Sequence, residues 1–116
     1  MTTPTPYRAI ADTTRREILD LLRLDPLTAG AIAERFRKKR LSRPAVSKHL
    51  RILRQSRLVR VTKKGRERVY MLNAGPLREV DAWVQKYEAF WDRQLQSFKE
   101  YVEAEAKKER KNEEKR

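Results

Sequence analysis

Apolar residues recur along this chain in two different periods. Steps of three and four mark helices. Asp12 reads as an N-cap before "TTRREILDLLRL", where Ile18, Leu19, Leu21 and Leu22 form one face. Asp25-Pro26 ends that helix, because the residue before proline avoids helical geometry. Thr28 caps a second helix, "AGAIAERF", with Ile32 and Phe36 inward. Ser42 caps a third, in which Pro44 is tolerated because first-turn amides lack intrahelical partners anyway. Upstream, "MTTPTP" reads as a loose arm and "YRAIA" as a short apolar turn or helix.

From Leu58 the period changes to two. "LVRVTKKGRERVYML" alternates, with Val59, Val61, Val69 and Met71 on one face and Arg60, Arg68 and Tyr70 on the other. "KKGR" is the turn, with Gly65 free to take a positive φ, so a two-stranded hairpin with a basic tip is predicted. Pro76 then opens a long helix whose apolar positions run Leu77, Val80, Trp83, Val84, Tyr87, Phe90, Trp91, Leu95, Phe98 and Val102. The ending "KKERKNEEKR" is charged with mixed sign and is expected to fray. The fold class expected is mainly α: a winged helix-turn-helix with four helices, a two-stranded β-hairpin wing and a long C-terminal helix. Residues 1–6 form a flexible arm, 7–102 the domain and 103–116 a charged tail.

Composition narrows the function. With 116 residues, 39% of them hydrophobic, the chain suits one small domain and not a deep enzyme cleft. Three glycines argue against a glycine-rich nucleotide loop. No cysteine is present, so disulfides and thiolate metal sites are excluded; the single histidine, His49, excludes an ordinary multi-histidine site. No metal or other cofactor is expected, and no catalytic residues. Without an apolar leader or a spanning stretch, the expected location is the cytoplasm, on the nucleoid, with no membrane partner.

The net charge of +13 is concentrated. From Arg37 to Arg68 there are fourteen Lys/Arg and one acid, Glu67, whereas the remaining basic and acidic residues cancel. A positive field beside a neutral scaffold favours a polyanion, here double-stranded DNA. At about 100° per residue, Arg43, Pro44, Ser47, Lys48, Arg51 and Arg54 share roughly 140° of the central helix, opposite Ala45, Val46, His49 and Leu53. Arg and Lys can reach guanine O6 and N7, and Ser47 a base or phosphate. The plain alternative is a solvated basic face. "RKKR" on one side and the hairpin tip, with Lys63, Lys64, Arg66 and Arg68, on the other favour DNA, because a winged helix brings these three segments to one surface. His49 lies amid the apolar positions and is expected to be a partly buried imidazole with a backbone partner. The last helix has more aromatic area than a small domain buries alone; it packs within the chain or forms a two-fold dimer seam, and its length of about seven turns favours the seam.

"IADTTRREILDLL", "LTAGAIAERF", "LSRPAVSKHLRILRQSRLV" and "GRERVYML" resemble ArsR-type winged-helix transcriptional regulators. The ending "VDAWVQKYEAFWDRQLQSF" resembles their autorepressor branch. The resemblance implies a homodimer joined through the first and last helices, involving Tyr7, Ile10, Val80, Trp83, Val84, Tyr87, Trp91, Leu95 and Phe98. It implies DNA contact by Pro44, Ser47 and Lys48, with Arg43 and Arg51 beside them, and by the wing tip around Lys64 and Arg66. With Ser42 and Lys63, these complete the candidate DNA-binding set. Metal-sensing members use cysteines early in the fold or His/Asp/Glu sets on the last helix. This chain has no cysteine and no histidine there, so metal-independent regulation is expected, by autorepression or an organic ligand at the dimer interface; no motif identifies an inducer. "FRKKRLS" is about two residues longer than the usual link, adding phosphate contacts or letting the recognition helix tilt. The function expected is sequence-specific repression at an inverted-repeat operator, with a non-specific nucleic-acid-binding or architectural protein as the alternative.

Overall fold

A computed structural model describes residues 3–115. Residues 1 and 2 of the expected arm, and residue 116 of the expected tail, lie outside it. The order is α1 (Pro6–Ile10), α2 (Thr13–Leu24), β1 (Leu27–Thr28), α3 (Ala29–Phe36), a 3-10 turn (Arg37–Lys39), α4 (Arg43–Gln55), β2 (Val59–Lys64), β3 (Glu67–Leu72) and α5 (Leu77–Glu114). The chain divides into two compact units, Met1–Val80 and Asp81–Arg116.

The caps set the helix starts in the first unit. The side chains of Asp12, Thr28 and Ser42 accept from the backbone N–H of Arg15, Ala31 and Ala45, satisfying donors that the first helical turn leaves open. Thr5 does the same for α1, so "YRAIA" is helical. Asp25 ends α2 in extended geometry, as its proline neighbour requires. The core collects Ala9 from α1, Ile18, Leu19 and Leu22 from α2, Ile32 and Phe36 from α3, and Val46, Leu50 and Leu53 from α4, closed by Leu58, Val59 and Tyr70. Each of the large aliphatic side chains contributes roughly 1.5–3 kcal/mol by leaving water.

Two features of the sheet depart from the sequence expectation. The sheet has three strands in the order β1-β3-β2, because Leu27 and Thr28 pair with Tyr70 and Val69. Two residues are too few to show a period. In β3 the inward phase is also the reverse of that expected. Tyr70 is buried at 8% exposure, whereas Val69 and Met71 are only half-buried. Antiparallel partners share a face, and the register pairs Val61 with Tyr70 and Val59 with Leu72. Once Val59 and Val61 face the core, Tyr70 must follow.

In the second unit α5 continues as one helix through Tyr101 and Val102 to Glu114, including 107–114, where fraying was expected. No helix among the described residues is long and apolar enough to cross a membrane.

Candidate nucleic-acid interface

The helix α4 is built two-sided. Val46, Leu50 and Leu53 are buried, and Ala45, His49 and Ile52 are half-buried beside them. Ser42, Arg43, Pro44, Ser47, Lys48 and Arg51 are all exposed. The packing face is committed to the core, so the cationic face is the one that α4 offers to a partner. Between α3 and α4 runs a groove of about 210 Å³ lined by Ala29, Gly30, Ala33, Arg43, Val46, Ser47 and Leu50.

The wing follows α4 directly. Lys64 pairs with Glu67, which leaves Gly65 and Arg66 as a two-residue turn. Gly65 has φ +62 and Arg66 is not in the positive region, the φ pattern of a type II′ hairpin turn, whose first central position favours glycine. Lys63, Lys64, Arg66 and Arg68 are exposed. Lys63 stands directly opposite Arg68, a like-charge pair that weakens a hairpin in water. A polyanion laid across the tip relieves that repulsion.

Charge pairing separates working cations from structural ones. Of the fourteen Lys/Arg between Arg37 and Arg68, Arg37 pairs with Glu34 at 3.4 Å and Lys39 with Glu17 at 2.7 Å. The other twelve make no side-chain hydrogen bond or ion pair among the described residues. Their field is therefore not neutralised locally. This segment holds no Phe, Tyr or Trp, and the two aromatics that flank it, Phe36 and Tyr70, are both buried, so it has no exposed aromatic ring of these types on which single-stranded bases could stack.

His49 is partly buried, as expected, but its partner is not backbone. Its Nδ1 lies 3.2 Å from Arg15 Nη1 and 3.8 Å from Asp12 Oδ2. Arginine has only donors, so Nδ1 accepts and the neutral ring carries its proton on Nε2. Arg15 also donates to the carbonyls of Ala9 (2.7 Å) and Arg8 (3.0 Å), tying α1, α2 and α4 together. Burial pushes the Asp12 carboxyl up, but the backbone N–H groups of Arg15 and Thr14, the Arg15 charge and, whenever its ring is protonated, His49 outweigh it, and its pKa is lowered. This node joins residues far apart in sequence, and no local pattern links them. Among the described residues, no group of three or more His, Cys, Asp or Glu is placed to hold a metal ion.

The residues expected at a dimer seam fall into two environments. In the first unit Ile10 packs against the core, Val80 is half-buried, and Tyr7 donates its hydroxyl to the Glu79 carbonyl at 3.0 Å. In the second unit Val84 is half-buried, whereas Trp83, Tyr87, Trp91, Leu95 and Phe98 are 44–67% exposed. Trp83 and Tyr87 meet edge to face at 5.3 Å, and Tyr87 stacks towards Trp91 at 6.5 Å. Phe90, Tyr101 and Val102 are exposed too. Tyr101 went unrecognised in the apolar pattern, although it lies three residues beyond Phe98.

A helix-turn-helix domain family matches residues 10–62. The chain is 42% identical over 78 residues to the transcriptional repressor SdpR of Bacillus subtilis (strain 168), covering 67% of this chain and 83% of that one. It is 36% identical to the HTH-type transcriptional regulator Rv2034 of Mycobacterium tuberculosis (strain ATCC 25618 / H37Rv), over 85% of this chain and 87% of the relative. Among solved structures, an ArsR-like transcriptional regulator from Rhodococcus sp. RHA1 superposes with a TM-score of 0.64 at 34% identity, covering 84% of this chain and 87% of the other.

Proposed function

The chain belongs to the ArsR-type winged helix-turn-helix transcriptional regulators, DNA-binding proteins and not enzymes, and from that premise we propose that it is a homodimeric repressor of an inverted-repeat operator. Twelve unneutralised cations spanning α4 and the wing, with no exposed aromatic among them, carry this reading. Arg43, Pro44, Ser47, Lys48 and Arg51 meet base edges in the major groove, and Ser42, Lys63, Lys64 and Arg66 hold the phosphates beside it.

Two copies join through α1 and α5, which covers the aromatic face of α5. Their recognition helices then enter successive major grooves about 34–36 Å apart. Occupancy blocks polymerase and needs no chemistry. With no cysteine, release does not run through thiolates; it follows protein level or an organic ligand at the dimer interface.

The test is selection of bound fragments from genomic DNA by the purified protein, followed by competition against random duplex. An inverted repeat bound at least about 10³ times more tightly than random DNA is expected. Enrichment of no motif, with equal binding to every duplex, would make the chain an architectural protein instead.

A further inference from the structure

Two backbone outliers bracket α4, and both are arginines. Arg40 (φ 58, ψ 26) stands two residues before the Ser42 cap, and Arg57 (φ 64) stands two residues after Gln55. They are the only non-glycine residues with positive φ among the described residues. Each is the left-handed residue of the same helix-ending motif. Arg40 N donates to Arg37 O (3.1 Å) and Leu41 N to Phe36 O (3.4 Å). Arg57 N donates to Arg54 O and Leu58 N to Leu53 O, both at 3.0 Å. The residue after each arginine, Leu41 or Leu58, packs on the core. Glycine is the usual occupant of such a position, because a Cβ there crowds the following carbonyl.

The fold has no use for either side chain. Both are exposed, and neither makes a hydrogen bond or ion pair among the described residues. In the same link Arg37 and Lys39 are engaged by Glu34 and Glu17. A strained position kept for an unpartnered cation, twice and at both ends of one helix, is a sign of function.

We propose that Arg40 and Arg57 grip the two sugar-phosphate strands bordering the groove that α4 occupies, a role that rests on α4 being the recognition helix. At about 1.5 Å per residue the thirteen residues of α4 span roughly 20 Å, and the two arginines stand just beyond its ends. The major groove is about 12 Å wide, so the ends of a helix laid across it at a slant lie near opposite strands. The guanidinium fork matches phosphate oxygens in pairs, and the rigid left-handed turn fixes where each fork starts.

Glycine and lysine variants at each position test this, by thermal melting and by DNA titration over a range of salt, on the selected site and on random duplex. Arg40→Gly and Arg57→Gly should melt higher than wild type. Each removes one contact per protomer, two per dimer, and should lower the salt slope by about 1.8 and weaken binding roughly sixtyfold near 0.1 M salt, equally on both DNAs. Arg40→Lys and Arg57→Lys should keep the slope. Glycine variants with the wild-type slope, beside a wild type that still prefers its site, would overturn the phosphate grip and leave the reading of α4 standing. So would a loss confined to the selected site, or lysine variants that lose the slope as the glycine variants do. A wild type whose DNA binding shows no salt dependence would overturn both readings together.

Discussion

Replacing the half-buried Arg15 by alanine should loosen the first unit more than replacing any other cation in it. The five-residue α1 is too short to hold itself as a helix, so its last carbonyls need outside donors. Arg15 supplies two of them, to Ala9 O at 2.7 Å and Arg8 O at 3.0 Å, and Arg16 supplies a third, to Ile10 O at 2.7 Å. A third bond of Arg15, at 3.2 Å, reaches His49 on α4. Bonds from a charged donor are worth about 1.5–3 kcal/mol each when protected. Water can replace part of the Arg8 bond, which is exposed, so the total expected is about 2–3 kcal/mol rather than the full sum. At about 4–8 °C per kcal/mol for a domain of this size, the melting temperature falls by roughly 8–24 °C. Circular dichroism at fixed protomer concentration measures it, since a dimer's melting point depends on concentration. Arg15→Lys should recover less than half, because an ammonium lacks the fork that spans two carbonyls. Combined with His49→Ala, the losses should fall short of additive by at least about 0.5 kcal/mol. A melting point within about 2 °C of wild type, or strict additivity, refutes the node.

Asp12 has a lowered pKa in the folded chain, so its contribution is present above the unfolded value of about 3.9 and is lost as pH falls through the folded value. Urea midpoints from about pH 6 to pH 3 should therefore fall more steeply for wild type than for Asp12→Asn, which keeps an N-cap acceptor. Tyr70→Ala should cost about 3–5 kcal/mol and Val69→Ala about 1, as seen by urea denaturation; the opposite order would mean that β3 faces the other way. On DNA, Arg51→Ala should lose about 1–3 kcal/mol on the selected site and relax specificity, while Lys64→Ala should weaken every sequence alike. Equal losses on specific and random duplex for Arg51→Ala would exclude base reading there. Phe98→Asp should shift the sedimentation coefficient to that of a monomer without unfolding the first unit; a dimer that survives it does not use this face of α5.

The starts of α2, α3 and α4, and the end of α2, were legible because capping and proline chemistry are local. Asp12, Thr28 and Ser42 each bond a backbone N–H three residues on, a distance the sequence itself spans. The division of α4 into cationic and apolar faces was legible for the same reason, since one helical period fixes both. Tyr70 was not. Its neighbours Val69 and Met71 suggested the opposite phase, and what settles it is pairing with Val61 across the hairpin and with Leu27 on β1, more than forty residues upstream.

The sequence by itself determined where charge concentrates, which residues start and stop helices, and that a wing follows the recognition helix. Those properties depend on neighbours within a few residues. Only the tertiary structure decided which cations are free. Lys39 and Lys38 are adjacent in the chain, yet Lys39 is held by Glu17 on α2, while Lys38 has no acid against it among the described residues. It also decided that His49 answers to Arg15 and that Arg40 and Arg57 take left-handed geometry. Each of these depends on what folding brings alongside, and the electrostatic field that DNA meets is what remains after those pairings are made.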